Sequence, residues 1–172
     1  MYQVAVCEDE EETREGLCAM LREILERRGV PGRILDYSSA EELSRAMVSG
    51  EHFDLLCLDI VMQGRSGMEL AREVREYDDQ VSILFVTGSE DHLREGYSGR
   101  PIQYLFKPIS REELERAVET DLRLYHPPRN LTLRSGGRAV VIPLSEIVYF
   151  ESRNHALEVW TRDGVQNFWL SL

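Results

Sequence analysis

Apolar positions follow two alternating rhythms along the first 125 residues. Short runs of strand length occur at Tyr2–Val6, Ile34–Tyr37, Asp54–Leu58, Val81–Val86 and Ile102–Phe106. Between them, apolar side chains recur at helical spacing. Leu17, Met20, Leu21, Ile24 and Leu25 form the clearest set, followed by stretches near Glu41–Val48, Met68–Tyr77, a weaker Gly-containing one near Asp91–Tyr97, and Arg111–Tyr125. Five strands alternating with five helices predict an α/β fold with a five-stranded, doubly wound parallel sheet.

Two helix starts carry chemical signals as well as periodicity. Ser66 with Glu69 and Ser110 with Glu113 have the spacing of a capping box, in which hydroxyl and carboxylate satisfy free amides of the first turn. The rhythm stops at His126-Pro127-Pro128-Arg129-Asn130, because proline lacks an amide donor and clashes with the preceding helical turn. This places a first domain at 1–125, a linker at 126–130 and a second domain at 131–172.

Beyond the linker, Leu131–Leu133, Ala139–Ile142, Ile147–Phe150, Leu157–Thr161 and Val165–Leu170 read as short strands, with turns at Gly136-Gly137 and Asp163-Gly164. This part is all β. Its 42 residues after Asn130 are too few to close a comfortable core, so it is expected to be the opening part of a larger domain.

Composition narrows the setting. No apolar run approaches the roughly 20 residues that cross a bilayer, and the start, MYQVAVCEDE, has neither a basic nor a cleavable apolar segment, so a cytoplasmic protein without membrane contact is expected. Cys7, Cys18 and Cys57 lack metal-ligand spacing and read as buried structural thiols. The net charge of −11 is uneven: residues 1–126 carry 15 basic and 27 acidic side chains, residues 127–172 carry 5 and 4. Any nucleic-acid role therefore falls to the second part.

In a doubly wound sheet, functional groups gather at the carboxyl ends of the strands. Here those ends carry Glu8-Asp9, Asp59, Thr87-Gly88 and Lys107-Pro108. Lys107 is the single lysine in a chain with 19 arginines. A compact ammonium on a flexible stem suits a phosphoryl or carboxylate oxygen. Three converging acids would raise one another's pKa unless a cation sat among them, and hard oxygen donors suit magnesium. Asp9 and Asp59 would ligate directly, Glu8 through water, and Val61 through its backbone carbonyl. The arrangement fits transfer of a phosphoryl group onto Asp59, with Thr87 donating to a phosphoryl oxygen and Lys107 balancing charge. Taken singly, each residue has an ordinary explanation as a cap, a turn or a solvated helix start. Their joint placement at four strand ends is what points to chemistry.

Residues 1–125 resemble the receiver domain of two-component response regulators, a flavodoxin-like fold. The match runs through the acidic pair Glu8-Asp9, the acceptor in Leu58-Asp59-Ile60, the Thr87-Gly88 step and Lys107-Pro108. The resemblance makes Tyr104 similar to the aromatic switch that rotates inward when the threonine moves. Glu8 stands where aspartate is commoner, and Gln63 where the family often has proline. Residues 131–172 resemble the opening of a LytTR-type DNA-binding domain, most clearly in Ile147-Val148-Tyr149-Phe150-Glu151 and Asn154-His155. By position, Arg153, Asn154 and His155 are the candidate DNA contacts.

The resemblance implies a regulator that takes phosphate at Asp59 from a sensor histidine kinase and acts on promoter DNA through a complete LytTR domain. A homodimer is expected on phosphorylation, through the face carrying Tyr104. Regulation by population shift, not turnover, is implied. A haloacid-dehalogenase-type phosphatase would need an acid two residues after Asp59, where Val61 stands, and no Gly-rich loop ends in Gly-Lys-Ser/Thr. The remaining alternative is a receiver-like interaction module that works without phosphate.

Overall fold

The computed structural model describes residues 1–88, 101–127, 130–135, 138–153 and 156–169. The chain forms two compact units, Met1–Pro127 and Pro128–Leu172. Among the described residues no helix is long and apolar enough to cross a membrane.

The first unit runs β1 (Tyr2–Cys7), α1 (Glu11–Arg27), β2 (Gly32–Tyr37), α2 (Ala40–Val48), β3 (Leu55–Asp59), α3 (Gly67–Tyr77), β4 (Ser82–Thr87), β5 (Gln103–Phe106) and α4 (Arg111–Leu124). Its five strands pair in parallel in the order β2-β1-β3-β4-β5. The chain moves one way from β1 to β2 and the other way from β1 through β3, so the crevice at the strand ends opens beside β1 and β3. The expected helix near Asp91–Tyr97 lies outside the described residues.

Strand periodicity of two sorts the apolar side chains into two cores. Val4, Val6, Leu55, Cys57, Leu84 and Val86 face one side, where they meet Leu17, Leu21 and Ile24 of α1 and Leu114 and Val118 of α4. Ala5, Cys7, Leu56, Leu58, Ile83 and Phe85 face the other, against Leu43 of α2 and Leu70 and Val74 of α3. The near-continuous apolar runs of the sequence are thus strands covered on both faces. All three cysteines are free and buried, and burial pushes the Cys7 thiol up to about 12.

The Ser66/Glu69 capping box forms in full. Ser110 caps α4 by accepting the Glu113 N–H, and its hydroxyl donates to the Glu112 carboxylate, so this start has the serine half of the box without the reciprocal carboxylate bond that Ser66 and Glu69 make. Ser39 caps α2 by accepting the Glu42 N–H, a cap that two adjacent serines hid in the sequence.

The second unit contains a hairpin of β6 (Asn130–Ser135) and β7 (Arg138–Pro143), a 3-10 turn at Leu144–Glu146, and an antiparallel sheet of β8 (Ile147–Arg153), β9 (Ala156–Thr161) and β10 (Gly164–Trp169). β8 runs past the expected Phe150 because pairing with β9 continues to Arg153 opposite Ala156. Ile142, Val159 and Phe168 form a small core.

Candidate functional site

Cys7, Asp59, Thr87 and Phe106 close β1, β3, β4 and β5, which delivers Glu8, Asp9, Asp59, Thr87 and Lys107 to one end of the sheet. Glu8, Asp59 and Thr87 are almost wholly buried, with exposures of 1%, 3% and 0%. Lys107 Nζ lies 2.7 Å from Asp59 Oδ2 and 2.8 Å from Glu8 Oε2. Each of Glu8, Asp9 and Asp59 offers a carboxylate oxygen within 4.8 Å of the other two. An open cleft of about 380 Å³ sits over them, with Val61 and Gly88 also in its lining.

Backbone contacts fix this geometry. The Lys107 N–H donates to the Thr87 carbonyl at 2.8 Å, and the Ile60 N–H donates to the Val86 carbonyl at 3.0 Å. The Val61 N–H donates to Asp59 Oδ1 at 3.0 Å. The Gln63 N–H donates to Asp9 Oδ2 at 2.9 Å, which ties the β3–α3 loop to the acid pair. Gly64 turns that loop with a φ of +82°, in the region that favours glycine. Gly67 then brings α3 against Asp59: a Cβ at position 67 would lie 2.0 Å from the Asp59 carbonyl oxygen.

Burial raises the Glu8 pKa, hydrogen bonding to Lys107 works against that rise, and the Asp59 charge adds to it. For Lys107, burial disfavours the ammonium, but hydrogen bonds to Asp59 and Glu8 and their charges outweigh it, so its pKa is raised. The lysine is therefore cationic at neutral pH and paired with two buried acids. All-oxygen donors with surplus negative charge are the donor set a small hard cation takes.

Tyr104 of β5 is half-buried and stacks on Phe85 of β4, with ring centroids 5.4 Å apart and planes at 29°. Arg153 ends β8, whereas Asn154 and His155 lie outside the described residues. Two features went unseen in the sequence. Arg14 folds back from α1 onto the acid loop, donating from Nη1 to the Glu8 carbonyl at 2.8 Å. At the opposite strand ends, buried Asp121 accepts the Tyr2 hydroxyl and pairs with His126 Nδ1 at 3.0 Å. One arginine among 19 gives no signal by itself, and the second cluster joins residues 119 positions apart.

Comparison with known proteins identifies the family of the first unit. RprY, a transcriptional regulatory protein of Bacteroides fragilis, is 30% identical over 130 residues, which cover 74% of this chain and 52% of RprY. The chain thus spans about half the length of that relative. LytT, a sensory transduction protein of Bacillus subtilis, is 22% identical over 176 residues, covering 95% of this chain and 70% of LytT. Among solved structures, the response regulator TrrA of Thermotoga maritima, crystallised in complex with Mg(2+)-BeF, is 30% identical with a TM-score of 0.59, covering 71% of this chain and all of TrrA. Residues 4–119 match the family described as the response regulator receiver domain, and the chain belongs to it.

Proposed function

We propose that this chain is a phosphorylation-dependent switch of a two-component system, with Asp59 as phosphoacceptor. The observation that carries this reading is the Lys107 ammonium held 2.7 Å from Asp59 and 2.8 Å from Glu8, in the lining of a cleft that also holds Asp9 and Glu10. An Asp59 oxygen attacks phosphorus of a phosphohistidine on a sensor kinase. The new O–P bond makes an acyl phosphate, the P–N bond breaks, and its electron pair stays with the imidazole. Lys107 supplies positive charge to the phosphoryl oxygens, and the Thr87 hydroxyl donates to one of them.

The donor set of Glu8, Asp9 and Asp59, three oxygens within reach of one centre, fits magnesium, with the Val61 carbonyl as a further ligand. When bound, that ion would add positive charge beside the phosphoryl oxygens. The Mg(2+)-BeF complex of TrrA supports this assignment.

The output is transcriptional. Likeness to RprY and LytT along most of the chain supports a DNA-binding effector, and the all-β second unit supports one of LytTR type, with Arg153, Asn154 and His155 as its candidate contacts to promoter DNA. Tyr104, on Phe85, is the switch residue: withdrawal of Thr87 toward the phosphoryl group opens space for the ring and favours a homodimer through the β5 face. No substrate is turned over, and the setting is the cytoplasm, where the kinase domain resides.

The test is intact mass of the purified chain after incubation with acetyl phosphate and magnesium. One magnesium-dependent phosphoryl adduct, lost in Asp59→Asn, is expected. Absence of the adduct on the folded wild type, with a histidine kinase also failing to transfer, would leave a phosphate-independent interaction module.

A further inference from the structure

We propose that Arg14 is the positioning residue of the acid pair, holding the Glu8-Asp9 backbone so that both carboxylates present to a bound divalent cation. This rests on the reading of the cleft as a magnesium-dependent phosphoacceptor site.

Arg14 lies one turn into α1, and its guanidinium turns back toward the strand ends. Nη1 donates to the Glu8 carbonyl at 2.8 Å and reaches the Asp9 carbonyl at 3.5 Å. Nε pairs with Asp36 Oδ2 on β2 at 3.3 Å. One side chain thus joins the acid loop, α1 and β2. Its exposure is only 13%, low for an arginine whose ion-pair partner is 52% exposed. A surface pair of that kind contributes little by itself. The half-buried bonds to the two carbonyls are what the geometry adds.

The acid loop is anchored at its start by the Glu8 N–H, which donates to the Tyr37 carbonyl at 3.1 Å, and within itself by the Glu10 N–H, which donates to Glu8 Oε1 at 3.3 Å. Glu10, the N-cap of α1, makes no side-chain cap bond, so the helix start does not brace the loop by the usual device. On the cleft side the loop is pulled by Lys107 through Glu8 and by the Gln63 N–H through Asp9. Arg14 instead holds the carbonyls of the same two residues. Its planar fork serves carbonyl and carboxylate at once from separate nitrogens, a span that a lysine ammonium, with all its donors on one nitrogen, does not match. Outer-shell partners that orient metal ligands commonly change metal affinity by about 10- to 100-fold when removed.

Magnesium binding by the full chain is measured by isothermal titration calorimetry for wild type, Arg14→Gln, Arg14→Lys and Asp36→Asn, with fold checked by circular dichroism in EDTA. The expected result is a dissociation constant raised about 10-fold or more in both Arg14 variants and close to wild type in Asp36→Asn, which keeps the carbonyl bonds. Arg14→Lys retains the charge and the aliphatic stem, so it carries the test if Arg14→Gln does not fold. Folded Arg14 variants binding within about twofold of wild type would overturn this inference alone. No magnesium uptake by the wild type would instead overturn the proposed function, and this inference with it.

Discussion

Gly67 and Asp59 are joined by a close approach that no other residue type at position 67 permits: an added Cβ would sit 2.0 Å from the Asp59 carbonyl oxygen and 3.0 Å from its carbonyl carbon. The obstacle is backbone, so it cannot rotate away. The first residue of α3 is therefore also packed directly against the end of the strand that carries Asp59. Gly67→Ala is expected to destabilise the first unit by about 1–3 kcal/mol, as overpacked sites do, and to slow phosphorylation of the folded fraction by displacing Asp59. Urea denaturation and adduct formation per folded molecule measure the two effects. An alanine variant with unchanged midpoint and rate would show that α3 can move off the strand without consequence.

Lys107 bears on stability and chemistry in different ways. Replacing it with alanine leaves Glu8, 1% exposed, beside Asp59 with no ammonium between them. The expected cost is about 1–3 kcal/mol at neutral pH, bounded because Glu8, already raised by burial, can take up a proton. Phosphorylation by acetyl phosphate should fall on the order of 10²-fold, the loss typical of one charge-stabilising donor. Lys107→Arg should recover part of the stability and little of the rate, because the larger planar guanidinium does not take the place of a compact ammonium between two carboxylates 2.7 and 2.8 Å away.

Most of the first unit was legible in the sequence because its central strands, β1, β3 and β4, are buried on both faces. Such strands appear as unbroken apolar runs, as in Leu55-Leu56-Cys57-Leu58 and Ile83-Leu84-Phe85-Val86, and the acids that end them stand out by contrast. The strand-end residues Glu8, Asp9, Asp59, Thr87 and Lys107 were visible for that reason. Arg14 was not, since its role depends on a helix turning its side chain backward onto two carbonyls. The Ser110 hydroxyl accepts the Glu113 N–H as the spacing predicts, but it also donates to the Glu112 carboxylate, a second contact that spacing alone does not show. The length of β8 was hidden too, because Glu151-Ser152-Arg153 is polar and is held by pairing with β9.

Magnesium should stabilise the folded chain, and Glu8 should set how much. A ligand that binds only the folded state at 100 times its dissociation constant adds about 2.7 kcal/mol. Glu8 has a folded pKa above its ordinary 4.5, so its ionised form opposes folding at neutral pH, and that opposition is relieved as pH falls through the folded value. Glu8→Gln removes the buried charge. The expected result in EDTA is a higher unfolding midpoint than wild type, together with a smaller increment on adding magnesium. Equal increments in both proteins would remove Glu8 from the cation's surroundings.

His126 should make stability depend on pH through contacts far from the cleft. Its Nδ1 lies 3.0 Å from Asp121 Oδ2, its Nε2 lies 3.9 Å from Asp54 Oδ1, and its ring meets Tyr2 edge-on with centroids 6.0 Å apart. Asp121, wholly buried, also accepts the Tyr2 hydroxyl, and Asp54 is held by the Gln3 N–H at 2.7 Å. Hydrogen bonding to Asp121 comes first in raising the His126 pKa above 6.5, burial works against it, and the charges of Asp121, Asp54 and Asp78 add to the rise. A group bound more tightly to its proton in the folded state stabilises fully below its unfolded pKa of about 6.5, and loses that contribution as pH rises through the higher folded value. Urea unfolding between about pH 6 and 8 should therefore show wild-type stability declining more steeply than that of His126→Gln. Asp121→Asn should lower the His126 pKa, read by NMR of the imidazole protons, and flatten the same profile. A wild-type imidazole titrating at or below 6.5 would mean that the Asp121 contact does not hold the proton in solution.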